Sequence, residues 1–478
     1  MYNSKHVHSV IRKEIREIVR DGRLRLLGVI VVILALAALA FGVKQTLRAQ
    51  EAREHARERA EGQWKGQGEK NPHVAAHYGT HVFAPTSVAT AIDPGVSAYL
   101  GRSIKIEAHK RNLAAHSAAQ DGAGLQRLGS FSVSTVLLQL VPLLIVALGY
   151  GLWSRERESG TLRQLLSTGV DRASLLWGKG LALLAVVAAL LVPAGLIILG
   201  VLWFLGGGDS STLARLGLLA LGYAVYFAMF GGITLYASAA AHSSRAALVA
   251  MIGIWGLFCL VAPRAATEFS GAVKALPSQA QLARDVAHSL ENGIDGKTPR
   301  EIAVNAIVSD MMAARGFSDA GMMINSAFVS GIELQAEAQW EDLVFDHHIQ
   351  ALDDQMAAQE EAVSWVGFLS PFIAMRTLSS GLCGTDFAHH RHFTEYVESW
   401  RKNWVNRLNA AFAENAGDKG WNYKAGPELW KTTPPFNYAE PGTAFALRAH
   451  WISLSALLFW LFLALLLARR SANRVKVV

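Results

Sequence analysis

Six runs of mostly apolar residues, at roughly 24–43, 131–153, 175–205, 213–240, 246–263 and 449–468, organise this chain of 478 residues. A helix rises about 1.5 Å per residue, so about 20 such residues cross the ~30 Å hydrocarbon core of a bilayer. Inside hydrocarbon every backbone amide must bond within its own segment or a closed barrel, and runs this long meet that condition as helices. The runs therefore predict an all-α polytopic membrane protein with six transmembrane helices. Only 17% of residues are charged, against about 25% in soluble domains.

The positions of Lys and Arg near the span ends set the orientation. Residues 1–23 carry Lys5, Arg12, Lys13, Arg16, Arg20 and Arg23. The segment 154–174 carries Arg155, Arg157, Arg163 and Arg172, the short loop after the fourth run carries Arg245, and 469–478 carries Arg469, Arg470, Arg474 and Lys476. The short loop Gly206–Thr212 has Asp209 and no cation. Six spans put all four basic segments on one side, so both termini are expected in the cytoplasm. The "ALA" at 38–40 after a basic stretch and an apolar core also fits a cleaved signal peptide, but the basic flank is long for one, and the first run reads as a retained span.

Pro142 and Pro193 lie inside the second and third runs and predict kinks, because each removes a backbone donor. Gly231, Gly232, Ala237, Ala239 and Ala240 in the fourth allow close helix packing. In 1–23, Val10, Ile11, Ile15, Ile18 and Val19 follow helical spacing between basic residues, which predicts an amphipathic helix on the inner membrane surface. Cys259 lies in an apolar run and Cys383 in a polar region, so no disulfide is expected.

Two large loops, 44–130 and 264–448, fall on the outer side. The first opens with "EAREHARERAEGQW", rich in helix formers and expected to extend the first membrane helix. It continues irregularly past Pro72, Pro85 and Pro94, with short strand or helix pieces. The second reads as mostly helical, with helices at 278–292, 299–315, within 318–361 and at 386–415, and breaks at "SPF" 370–372 and "PGTAF" 441–445. Leu282, Val286 and Leu290 share one face of the first. Glu268, Arg264 and Lys274 at the outer end of the fifth run read as interface anchors.

The strip "SRERESGTLRQLLSTGVDRASLLWGKG" after the second run is more patterned than a connection needs. Residues 159–168 predict a short helix with Leu162, Leu165 and Leu166 on one side. Gly169 ends it, and Asp171 caps the helix that becomes the third span. A helix lying across the inner ends of two spans can be pushed by a cytoplasmic partner.

This strip resembles the stretch after the second span in ABC-2 type transporter permeases, through Glu156, Glu158, Gly160, Thr161, Leu162, Leu165, Leu166, Ser167, Arg172, Leu175, Leu176, Gly178 and Lys179. The resemblance implies that 154–174 is a coupling helix docking on an ATPase, with Glu156, Glu158, Gly160, Thr161, Leu162, Leu165, Leu166, Arg172, Gly178 and Lys179 as the coupling residues. The entry helix "SVIRKEIREIVRDGR" and the span count fit the same family. "NPHVAAHYGTHVFAPTSVATAIDPGVSAYLG" and "LSPFIAMRTLSSGLCGTDFAHHRHF" look like a bacterial subgroup with large periplasmic inserts, similar to the permeases of gliding motility and nitrous-oxide reductase maturation. The implied setting is the bacterial inner membrane. The implied partners are two copies of a cytoplasmic ABC ATPase, a second permease, the same or related, and a periplasmic protein, with no nucleic acid.

A phosphate-binding loop is missing. "GIDGKTPR" has Gly296, Lys297 and Thr298, but Glu291 stands where the earlier glycine belongs, and "WGKG" at 177–180 lacks the hydroxyl residue. The chain is thus expected not to be an enzyme and to hold no cofactor, with ATP and magnesium in the partner. There is no H-E-x-x-H. The weak metal candidates are Asp386, His389, His390 and His392, with His347 and His348 upstream; the competing reading is the polar face of an exposed helix, and no metal is assigned. No span carries Asp or Glu at its middle, which disfavours a proton-coupled carrier. Two readings follow: a permease coupling ATP hydrolysis to export or to a periplasmic conformational change, and a membrane-anchored scaffold recruiting periplasmic partners without moving cargo.

Overall fold

The computed structural model describes residues 4–117, 131–206, 209–273, 275–316 and 326–475. Lys274, Lys476 and the stretch 318–325 of the expected long helix lie outside the described residues. Among the described residues six helices are long and apolar enough to cross a membrane: Arg23–Lys65, Val133–Glu158, Arg172–Leu205, Ser210–Ala240, Ser244–Ala272 and Trp451–Arg474. They correspond to the six apolar runs. The first is 43 residues long, because the charged helix formers after its apolar part continue the same helix out of the membrane.

The fourth span is the hub, packing on the second, third and sixth. Its small residues permit this. A Cβ on Gly232 would meet Ala464 of the sixth span at 3.1 Å, and one on Gly149 of the second span would meet Thr234 Cγ2 at 2.8 Å. In the second span the proline has a local consequence. Pro142 has no N–H for the carbonyl four residues earlier, and a π-helical turn over Val136–Leu140 precedes it. The Leu138 carbonyl instead accepts from the Tyr226 hydroxyl at 2.9 Å, and the Gln139 carbonyl accepts from Trp255 Nε1 at 3.0 Å. The irregular turn is thus stitched to the fourth and fifth spans. Pro193 lies within the continuous helix Arg172–Leu205.

The two large loops build one domain at the end of the bundle opposite the 154–180 strip. The first supplies the helix Pro72–Tyr78 and a small antiparallel sheet, β1 (Thr80–Phe83), β2 (Ser103–Glu107) and β3 (Lys110–Arg111), with Thr80 opposite Ile106 and Ile106 opposite Arg111. The sheet adds a minor β element to a largely helical protein. Val82, Ile104 and Ile106 pack with Trp404, Trp430 and Phe393 in its core. The second loop supplies Gln279–Asn292, Arg300–Ala314, the long helix Ser326–Val366 and Phe387–Asn415, close to the expected boundaries.

One element departs from expectation. Between the breaks lies the helix Pro371–Cys383, too short to span a bilayer and buried along most of its length. It packs on the fourth and sixth spans. Cys383 is fully buried here, which corrects the polar setting expected for it; both cysteines are free.

Candidate coupling site

The strip is two short helices. Ser154–Glu158 continues from the second span, Gly160 turns the chain at φ +75°, and Thr161–Ser167 follows. A side chain at Gly160 would be strained by that φ alone. The expected single helix from 159 therefore starts at Thr161. Gly169, at φ +84°, ends it, and Asp171 caps the third span by accepting from the Ser174 amide at 2.8 Å.

Beneath the strip lies a quartet of charge. Lys179 is fully buried, and its Nζ lies 2.6 Å from Glu14 and 2.9 Å from Glu156. Lys13 pairs with Glu156 and sits 3.1 Å from Glu14. The Trp153 ring lies 5.7 Å from the Lys179 ammonium. Lys179, Glu14 and Glu156 are buried, and Lys13 closes the set from the partly exposed side, where Glu17 also reaches it at 3.3 Å; charges paired this way can be buried at tolerable cost.

The quartet fixes the entry helix Ser4–Arg20, whose buried stripe is Val7, Val10, Glu14 and Ile18. The stripe packs on the start of the third span, so this helix is clasped by the bundle through a face with an acid at its centre. Val19, expected on the apolar face, is exposed. Contact is closest at Gly178, where a Cβ would lie 2.5 Å from Val10 Cγ1.

Other residues of the strip reach the remaining elements at this end. Glu158 accepts from the Ser244 amide at 2.8 Å and its hydroxyl at 2.9 Å, at the start of the fifth span. Arg157 donates to the carbonyls of Ala239 and Ala241 after the fourth span. Arg172 donates to the carbonyls of Asn473, at 3.0 Å, and Val475, at 3.3 Å, beyond the sixth. The four basic segments thus converge at one end of the bundle.

These positions sort the residues expected to touch a partner. Glu156, Leu162, Gly178 and Lys179 are buried, so they hold the strip instead of presenting it. Glu158 and Arg172 tie it to neighbouring chain ends. Gly160 and Thr161 are exposed, and Leu165 and Leu166 are half-buried. Arg163, Gln164 and Ser167 complete the outward face. Lys13 and Glu14 were not legible from sequence, because their partners lie more than 140 positions away.

The suggested histidine cluster at 386–392 does not converge. Asp386 is buried between two imidazoles, accepting from His389 and, at 2.8 Å, lying against His450 Nε2. Burial would raise the Asp386 carboxyl, yet it stays well below the usual carboxylate range because both rings donate to it. His392 Nδ1 instead meets the Tyr438 hydroxyl at 2.9 Å, and the His390 ring lies tilted 6.3 Å from the Phe387 ring. His348 bonds Ser289, and His347 is exposed. The histidines at 389–392 are buried or half-buried and divided among separate partners.

A family model described as ABC-2 family transporter protein matches residues 8–471. No curated protein is significantly similar to the chain. In this family the ATPase is a separate subunit, and the membrane subunit is typically not catalytic itself. With six candidate spans and a match over nearly its whole length, the chain is a multi-pass membrane protein and belongs to the ABC-2 transporter family as a permease subunit.

Proposed function

We propose that this permease transmits the closure of a cytoplasmic ATPase pair, docked on the outward face of Thr161–Ser167, to its spans and large domain, driving export or a periplasmic conformational change. The observation that carries this reading is the asymmetry of the strip. One side is fastened to the entry helix, the fifth span and the C-terminal end, while Arg163, Gln164 and Ser167 face outward. A partner gripping that face moves several elements at once. The strip side is then cytoplasmic and the large domain periplasmic, in a bacterial inner membrane. A second permease, the same or related, completes a twofold assembly with two ATPase copies that hold ATP and magnesium.

Arg163→Glu with Gln164→Glu should abolish co-purification of the ATPase and ATP-dependent transport, with the melting temperature of the isolated permease unchanged. Intact co-purification with full transport would refute the docking face.

The scaffold reading rests on the size of the large domain. It predicts that an ATPase-dead partner leaves the recruitment of periplasmic proteins intact; the permease reading predicts that the ATP-dependent output is lost.

A further inference from the structure

The large domain gathers three histidines that no sequence motif joins. His73 and His77 lie one turn apart on Pro72–Tyr78. His109 sits at the turn between β2 and β3, with a left-handed φ of +61°. That conformation is uncommon for a residue with a side chain, and here it points an imidazole back at the helix. His77 Nε2 lies 3.0 Å from His73 Nε2, and His109 Nε2 lies 3.4 Å from the same atom.

The far nitrogens of two of these rings are already assigned. His73 Nδ1 lies 3.0 Å from Asn409 Oδ1, and His109 Nδ1 contacts the Glu341 carboxylate. Both partner oxygens can only accept, so each Nδ1 carries the hydrogen and each Nε2 presents its lone pair inward. Two lone pairs therefore face one point, an arrangement that favours a cation there. Tetrahedral zinc with Zn–N bonds of about 2.0–2.1 Å places its ligand nitrogens about 3.3 Å apart. The separations of 3.0 and 3.4 Å bracket that value. His73 is buried and His77 exposed, so the fourth position opens to solvent, where water or a ligand can complete the shell.

We propose that His73, His77 and His109 form a three-imidazole site for a divalent transition-metal ion, zinc or copper(II), with Asn409 and Glu341 as the orienting outer shell. In the metal-free protein His77 Nε2–H can donate to His73 Nε2. On binding, the His77 proton moves to its solvent-facing Nδ1, so three neutral rings ligate with no net proton release. The ion would join the first loop, through Pro72–Tyr78 and the β2–β3 turn, to the long helix Ser326–Val366 and to Phe387–Asn415, which supply Glu341 and Asn409.

The test uses the full-length, tag-free permease in detergent, stripped with chelator and titrated separately with Zn2+ and Cu2+ against a chromophoric competitor. One equivalent per chain is expected, and Co2+ should give the intense visible bands of a four-coordinate nitrogen site. His77→Ala removes an exposed ligand and should weaken binding at least about 100-fold, with Glu341→Gln costing about 10–100-fold. The metal-free melting temperature of His77→Ala should match that of the parent. His389→Ala, in the separate Asp386 cluster, should leave affinity unchanged. The comparison of Zn2+ with Cu2+ assigns the ion. Absence of a stoichiometric site and of the cobalt spectrum in the parent protein would overturn the proposal, as would unchanged binding in His77→Ala or loss of binding in His389→Ala alone.

Discussion

Lys179 shows how much one side chain decides at the strip end of the bundle. Its ammonium is fully buried and is balanced by Glu14 and Glu156. Breaking such a buried set by removing one member leaves uncompensated charge, at a cost of about 3–5 kcal/mol. Lys179→Met should therefore lower the melting temperature sharply, and Glu14→Gln added to it should recover part of the loss by removing an orphaned carboxylate. A fall in the double variant equal to the sum of the two single falls would show that the quartet does not act as a unit. In the large domain Glu360 gives a second test. Burial, helped by the neighbouring Asp386 charge, pushes its carboxyl up to about 7. The unfolded chain releases that proton near pH 4.3. Between about pH 4.3 and 7 the folded state thus binds the extra proton, and this group's contribution falls as pH rises through that window. Glu360→Gln should leave stability at pH 4 nearly unchanged and gain up to about 3 kcal/mol at pH 8 relative to the parent. Parallel pH profiles of melting for the two proteins would refute the shift.

Among elements, the entry helix and the third span meet so closely that a single methyl group should separate them. Gly178→Ala places a Cβ 2.5 Å from Val10 Cγ1, an overpacking that costs about 1–3 kcal/mol. Val10→Gly removes both Val10 atoms that it would meet, Cγ1 at 2.5 Å and Cβ at 2.6 Å, so the two substitutions together should cost less than the sum of their separate effects; strict additivity would mean that the contact is not what requires glycine there. The same contrast explains what was legible. Membrane helices announce themselves by length and hydropathy, and Asp171 and Gly169 mark the strip by local rules, so these were readable from 20-residue windows. The side of the entry helix that packs was less so, because its stripe is centred on Glu14, which pattern reading takes for a polar position. Pro371–Cys383 was missed for a related reason. Only 13 residues long, it falls below the length of a span, and its burial comes from the fourth and sixth spans. The three-histidine cluster depends on the His109 turn meeting a helix some 30 positions earlier, for which no spacing rule exists. The run of histidines at 389–392 drew attention by adjacency in sequence, which on a helix scatters side chains.

Across the whole molecule, Pro371–Cys383 is the physical link between the bundle and the large domain. Thr377 Oγ1 bonds Ser453 Oγ of the sixth span at 2.6 Å, Ser379 Oγ meets the Tyr223 hydroxyl of the fourth at 3.2 Å, and Ser370 Oγ donates to the Phe258 carbonyl of the fifth at 2.9 Å. At its C-terminal end Gly381 lies against the His450 ring, which in turn bonds Asp386 at the head of Phe387–Asn415. Displacement of the spans by a partner at the strip has a direct route to the domain through these contacts. With an ATP-bound, hydrolysis-dead partner, amide hydrogen exchange should therefore change both at 154–170 and at 371–386. It should not change in Gln279–Asn292 and Arg300–Ala314, which pack chiefly on each other and on the long helix. Gly381→Ala would drive a Cβ to within 2.0 Å of the His450 ring. This variant should still bind the ATPase and show the change at 154–170, yet lose the change beyond residue 386. Exchange confined to the strip in the parent complex would show that ATP-driven motion stops at the membrane. An unaltered domain response in Gly381→Ala would instead show that the motion crosses by the first span and its long extension.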